Sequence, residues 1–242
     1  MFHKFFTTSL LFSFLVLKLA AQTTSQEAAV RLEEADSLYA NKRYTEALEI
    51  YSALYDNRQA TPAMLLRMAF IHEGLNKDVE AIYFLYQYYE LTADRKVLNK
   101  IAELADANDL EGYVFTDTDF LLNVYKKYHH TIVAVLASLA LLMVVLAWRQ
   151  RKHGSRPISV LIVQCVFLLL FFALSNNLFE KKQGIVSSQY TVMMTAPSAA
   201  AKPVATLQKG QKVDILGKKE VWSVVRWGNQ KGYIRNTRIL PI

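Results

Sequence analysis

The side chains that could carry chemistry are few, and their spacing is wrong for it. His72-Glu73 opens the pattern of a zinc-protease helix, but Gly74, Leu75 and Asn76 follow, so the second histidine one turn on is missing. Gly217-Lys218 lacks the preceding glycine and the following Ser/Thr of a phosphate-cradling loop. His129 and His130 are adjacent, which on a helix points them to different faces and suits a membrane interface better than a metal ion. Asp106, Asn108 and Asp109 lack calcium-loop spacing and its closing glutamate. Cys165 is the only cysteine and lies in an apolar run, which excludes an intrachain disulfide or a cysteine-based zinc site and points to an inert, membrane-buried thiol. The expectation is a protein that is not an enzyme and needs no cofactor or metal.

The elements around these residues explain where the chain spends its length. Charges vanish over residues 5–17, 131–148 and 158–179, which is too much apolar chain for one soluble core. Residues 1–21 read as a signal peptide, cleaved or kept as an anchor, with small Ala20 and Ala21 before Gln22. Residues 131–148 and 158–179 read as two transmembrane helices, without an acid or base for an ion pathway. The loop at 149–157 carries Arg149, Arg151, Lys152 and Arg156, which belong in the cytoplasm by the positive-inside rule. Both flanking modules then face the periplasm. Their charges are opposite: residues 22–130 hold 11 Lys/Arg against 18 Asp/Glu, a net of minus 7, while residues 180–242 hold 11 against 3, a net of plus 8. With the basic charge confined to one module, the overall pI near 9.3 is no argument for nucleic-acid binding. The basic module could instead meet anionic lipid, anionic wall polymer or acidic repeats.

Residues 22–115 repeat themselves. Ala35 maps onto Ala69, and Glu46-Ala47 onto Glu80-Ala81, each 34 residues on. Small side chains at Ala35, Ala47, Ala69 and Ala81 let paired helices approach, Asn41 and Asn76 fall at turns, and Thr61-Pro62 is a helix start. The period and these positions resemble the tetratricopeptide family over about 75 residues, with departures at Arg31 and Asp78, where the family often has aromatics. The alternative is a set of generic helical hairpins. Residues 97–107 add a capping helix, and a juxtamembrane helix over 116–130 is expected to dock Leu121, Val124, Tyr125 and Tyr128 on the repeats. The resemblance implies a concave protein-binding groove at Leu32, Asp36, Tyr39, Leu66 and Phe70, although Leu32, Leu66 and Phe70 would serve equally as core. Tyr83, Phe84, Tyr86, Tyr88 and Tyr89 crowd one helix, so that some should be exposed.

After Lys182 the periodicity becomes that of strands. Residues 189–194, 212–216 and 221–227 are β-favouring, and Trp227 to Ile234 reads as strand, tight turn, strand. Thr195-Ala196-Pro197-Ser198, Leu207-Gln208-Lys209-Gly210, Trp222 and Gly232-Tyr233 resemble, in that order, the bacterial SH3 family over residues 186–242, with Met194 in place of a common arginine. The resemblance implies a small all-β SH3-like barrel. Trp222, Trp227 and Tyr233 are its candidate ligand-binding residues, although the core reading is the stronger one for Trp222.

The whole order of a signal peptide, α-helical tetratricopeptide-like repeats, two transmembrane helices and a C-terminal SH3-like barrel resembles membrane proteins of the Bacteroidetes aerotolerance operons. That resemblance implies a non-enzymatic inner-membrane scaffold or adaptor, with von Willebrand factor A membrane proteins and a MoxR-type ATPase as partners in envelope stress tolerance. The alternative is a sensor whose barrel binds peptidoglycan.

Overall fold

Helix ends organise the first part of the chain. In the computed structural model, which describes residues 26–152, 158–175 and 182–242, α1 covers residues 26–40 and leads to α2 (Tyr44–Asp56), α3 (Pro62–Gly74), α4 (Asp78–Thr92) and α5 (Lys96–Ala107). The expected signal peptide lies outside the described residues. Lys42, Arg58, Asn76 and Asp109 take left-handed backbone angles, φ 53–61°. The N–H of the next residue reaches back to a carbonyl of the last turn at 2.9 Å in all four cases: Arg43 to Leu38, Gln59 to Leu54, Lys77 to His72 and Leu110 to Ala105. Such closures usually recruit glycine, since a Cβ at positive φ costs roughly 1–2 kcal/mol. None of the four is glycine. Lys42, not Asn41, takes the left-handed position of the first turn, and it stands 34 residues before Asn76.

The chain forms two compact units, Met1–Phe84 and Leu85–Ile242, divided within α4. In the first, α2 packs on α3, and Tyr51, Met64, Leu65, Met68 and Ile82 are fully buried with Ala35, Ala47 and Ala81, while Ala69 is nearly so. The absence of larger side chains at the alanines is what lets the helix backbones close on one another. The Thr61 hydroxyl accepts the Met64 N–H at 3.3 Å and Pro62 occupies the first turn of α3, where its missing N–H costs no helical bond.

The second unit contains α5, α6 (Asp117–Lys152), α7 (Ile158–Ser175) and a sheet. The expected juxtamembrane helix and first span are one helix of 36 residues, and Arg149–Lys152, assigned above to the loop, continue it. No glycine or proline interrupts Asp117–Lys152, so nothing in the sequence stops the helix before Gly154. Among the described helices α6 is the one long and apolar enough to cross a membrane; the apolar stretch of α7, Ile162–Ser175, is shorter. The Tyr125 hydroxyl donates to the Leu174 carbonyl at 3.1 Å, so α7 returns antiparallel along α6. Of the four side chains expected to form a stripe on the juxtamembrane helix, Val124 and Tyr125 are half-buried. Leu121 and Tyr128 are exposed. The contact with the end of α4 is made by longer, polar arms, Lys126 pairing with Glu90 at 2.9 Å and Lys127 donating to the Thr92 carbonyl at 2.7 Å.

Among the described residues, seven strands follow in this unit: β1 (Lys182–Val186), β2 (Thr191–Met194), β3 (Pro203–Leu207), β4 (Lys212–Lys219), β5 (Trp222–Trp227), β6 (Gln230–Arg235) and β7 (Ile239–Pro241). All pairs are antiparallel, in the order β3-β2-β6-β5-β4-β1-β7. β1 starts ahead of the boundary expected at residue 186 and delivers Ile185 and Val186 to the interior. The core is Val186, Met193, Leu207, Val213, Val225, Ile234 and Ile239. At about 1.5–3 kcal/mol for each large side chain removed from water, this cluster is the main cohesive term of the sheet. The β5–β6 hairpin closes on the Trp227↔Gln230 pair across Gly228-Asn229, with Gly228 at φ +56°, as a two-residue turn requires.

Candidate functional site

In the helical unit, three rings from three helices or their junctions meet at the surface. Tyr39 of α1 lies 5.3 Å from Tyr44 of α2 and 6.1 Å from Phe70 of α3, centroid to centroid, and Tyr44 lies 5.9 Å from Phe70, all edge to face. Phe70 nevertheless stays 53% exposed, and Leu66, one turn earlier on the same helix, 38%. The core reading of these two residues therefore gives way to a surface one. Leu32 is half-buried. Tyr44 escaped the sequence reading because it joins Tyr39 across a helix turn rather than along a helix face.

Asp36 is engaged within the unit rather than presented as an open acid. It forms an ion pair with Arg67, and the Tyr51 hydroxyl donates to it at 2.7 Å. Arg67 also donates to the Tyr51 oxygen at 3.4 Å and holds its guanidinium 5.4 Å from the Tyr39 ring centre. Burial, then the hydrogen bond to Asp36, pushes the Tyr51 phenol up to about 12, and the hydrogen bond to Asp36 raises the Arg67 guanidinium. Asp36, Tyr51 and Arg67 thus tie α1, α2 and α3 together next to the ring cluster. The crowded aromatics of α4 behave differently from expectation. Phe84, Tyr86 and Tyr89 are buried and Tyr83 and Tyr88 half-buried, so none adds an exposed ring. Phe84 stacks on His72 at 5.2 Å and Tyr83 shares a 2.7 Å hydrogen bond with Tyr55.

Strand alternation sorts the three aromatics expected at the barrel's ligand surface. Val225 and Ile234 point inward, so Trp227, in step with Val225, packs on the core, and its indole N–H is buried without a partner among the described residues. Trp222 and Tyr233 stand on the opposite face. Trp222 is only 8% exposed there, with the Arg235 guanidinium 5.6 Å from its ring centre, while the Lys219 amine lies 5.8 Å from the Tyr233 ring centre. Trp222 and Tyr233 therefore share one face, each beside a cation, while Trp227 packs, half-buried, against the core on the other. Residues 195–239 match the bacterial SH3 domain. The match covers β3 to β6 entirely and ends at the first residue of β7, with Trp222, Trp227 and Tyr233 inside it. No curated protein matches the chain.

One basic residue of the SH3 module has a role that the sequence did not reveal. Lys212, at the start of β4, is buried, and its amine donates to the Tyr86 hydroxyl at 2.8 Å. The same amine lies 5.0 Å from the Tyr86 ring centre, 5.3 Å from that of Phe115 and 5.9 Å from that of Tyr113. The segment before α6 runs alongside: the Lys212 N–H donates to the Glu111 carbonyl at 3.3 Å, the Glu111 N–H to Gln211 Oε1 at 3.0 Å, and the Tyr113 hydroxyl to the Gly210 carbonyl at 2.5 Å. Gly112 permits this approach, with φ +93° and a position where a Cβ would stand 3.0 Å from that of Lys212. Desolvation raises the Tyr86 and Tyr113 phenols well above their usual range. A lysine is tolerated at this depth because three π-faces and a hydroxyl replace part of its hydration. Among the described residues no cluster of three or more His, Cys, Asp or Glu could hold a metal ion.

Proposed function

We propose that this protein is a non-enzymatic membrane scaffold whose helical unit, built of tetratricopeptide-like repeats, grips a partner peptide or domain while its SH3 module makes a second contact. The observation that carries the reading is the ring cluster of Tyr39, Tyr44 and Phe70, preorganised by edge-to-face packing and by Arg67 yet left open at Phe70. Exposed aromatics held rigidly lose little entropy on binding and are favoured interface anchors. The chain is read as an inner-membrane protein with α6 and α7 as a two-span hairpin and both modules periplasmic, and two weak contacts on one anchor gain through effective concentration. The whole-chain resemblance supports von Willebrand factor A membrane proteins and a MoxR-type ATPase complex as partners in envelope stress and aerotolerance. Crosslinked co-purification of the full-length chain from native membranes tests this: partners are expected with the native sequence and should be lost on Tyr39→Lys with Phe70→Lys. Retention of every partner by that double variant overturns the groove.

The SH3 match supports a second reading, a peptidoglycan-binding sensor. Arg235 and Lys219 above Trp222 and Tyr233 offer cations to the carboxylates of wall peptides. If the purified full-length chain fails to sediment with isolated peptidoglycan, this reading falls and the scaffold stands.

A further inference from the structure

Strand register builds one continuous outer surface on the SH3 module. Across β4, β5 and β6 the paired rows are Lys219↔Trp222↔Arg235, Gly217↔Val224↔Tyr233 and Asp214↔Arg226↔Lys231. All three lie on the side away from the core, because the alternating positions Ser223, Val225 and Ile234 are buried. Met194 of β2 pairs with Tyr233 and extends the middle row. That row is an apolar band of Gly217, Val224, Tyr233 and Met194, each side half-buried, and about 14 Å long at the usual spacing of strands. Beyond its chain neighbours, nothing stands within 4 Å of where a Cβ on Gly217 would be, so the β4 end of the band has room for an incoming apolar side chain.

Charge frames the band on both sides. Lys219 and Arg235 stand along one edge, Arg226 and Lys231 along the other, and all four are exposed. The acid of these rows, Asp214, is already engaged by Arg226 at 3.2 Å and by Gln183 Nε2 at 3.0 Å. A complementary occupant is therefore apolar along its middle and anionic along both flanks. The flanking rows cross β5 at Trp222 and Arg226, four residues or roughly 13 Å apart, which straddles an α-helix with its side chains. An extended chain, needing only about 4.8 Å of width, would leave one basic row unmet. A polymer of phosphates or carboxylates has nothing apolar to lay on the band. The lysine and arginine arms also reach farther than Gly217, Val224 and Met194, which makes the face a trough that a helical ridge fills and a planar lipid leaflet does not.

We infer that this trough docks an acidic amphipathic helix of a partner protein, apolar along one stripe with carboxylates on both sides. The inference gives a chemistry to the second contact of the scaffold reading and rests on that reading. The test uses the full-length chain in nanodiscs of zwitterionic lipid and the fluorescence anisotropy of a synthetic helix of about 20 residues, leucine on one stripe and glutamate on both flanks. Saturable binding is expected, weakening at least about fivefold from ~50 to ~300 mM salt. Lys219→Glu with Lys231→Glu, one change on each edge, should weaken it at least about tenfold while the melting temperature holds, since both side chains are exposed. Tyr39→Lys with Phe70→Lys should bind the peptide as the native chain does, which assigns the contact to the SH3 module. No binding of the acidic helix, equal binding of a helix with lysine for glutamate or with glutamine for leucine, or binding undiminished by the Lys219, Lys231 variant overturns the proposal. It falls equally if the peptide fails while that variant abolishes sedimentation with peptidoglycan, capture by phosphatidylglycerol vesicles or self-association, because the face then belongs to that occupant. A failed titration leaves the groove of the helical unit standing, and retention of every partner by the Tyr39, Phe70 variant sinks that groove without touching the peptide result.

Discussion

The helical unit and the SH3 module both carry aromatic side chains on an outer face, and they finish those faces in opposite ways. Tyr39, Tyr44 and Phe70 support one another by their edges and leave Phe70 open to water. Trp222 and Tyr233 stand beneath Arg235 and Lys219. An open apolar cluster gains by expelling water with another apolar surface, whereas a cation-roofed one gains when an anion meets the roof or when the roof swings aside. The two faces should therefore differ in salt dependence. Binding through the helical unit should be nearly indifferent to ionic strength, and binding through the SH3 module should weaken with it.

The largest effect that can break this comparison comes from Gly232. A Cβ there would stand 2.5 Å from Met193 Cγ and 2.8 Å from the Met194 carbonyl. Gly232→Val should cost about 3 kcal/mol and disorder the β5–β6 face, seen as loss of protected tryptophan fluorescence in a denaturant titration. Gly112→Ala comes next, at roughly 1–2 kcal/mol, because it adds a Cβ at φ +93° against Lys212. Its readout is faster proteolysis of the 110–116 segment, and unchanged cleavage would remove that segment from the account. Arg67→Met should destabilise the helical unit by about 1 kcal/mol, discounted because the Asp36–Arg67 side chains are 38% and 31% exposed. The same variant should loosen the Tyr39 ring beneath the guanidinium, giving sharper partner loss than its stability effect alone would explain.

A pH scan sharpens the contrast further. The Tyr51 phenol moves from an ordinary value of 10.0 to about 12 through burial and its bond to Asp36. A group raised in the folded state contributes stability that is complete below its unfolded value and lost as pH rises toward the folded one. The helical unit should therefore lose stability between pH 10 and about 12, and Tyr51→Phe should flatten that part of the curve relative to the native chain. Other raised tyrosines are common to both proteins, so the difference isolates Tyr51. An equal slope in the two proteins would contradict the network. The smallest expected change in stability, within about 0.5 kcal/mol, belongs to Phe70→Ala, because the ring is already half in water. Its effect should fall on partner binding instead.

Much of the helical unit was legible because its signals are local. The alanine spacing and Thr61-Pro62 state where helices approach and where α3 begins. The turns were less legible, since Lys42, Arg58 and Asp109 hold left-handed angles that are usually written with glycine. The end of α6 was misplaced for a related reason: basic residues mark a membrane boundary, but only Gly154 and Pro157 are breakers, and Arg149–Lys152 remain helical. In the sheet, β1 was missed because residues 182–185 show little strand pattern by themselves and gain it by pairing with β4 and β7. Trp227 was grouped with Trp222 by residue type, and strand parity separates them.

What the sequence by itself determined are properties set by residue order over a few turns or strands: the 34-residue offset of the alanines, the apolar run within α6, the opposite charges of the two modules and the bacterial SH3 pattern of residues 195–239. Tertiary structure alone decided which polar groups are paired and which rings are open. Asp36 meets Arg67 from 31 residues away, Lys212 meets Tyr86 across 126, and the Tyr89 hydroxyl and Asn123 Oδ1 are buried without a partner among the described residues. Those outcomes depend on distances between elements that are remote in the chain, and burial then multiplies the consequence of each pairing because the surrounding dielectric is low.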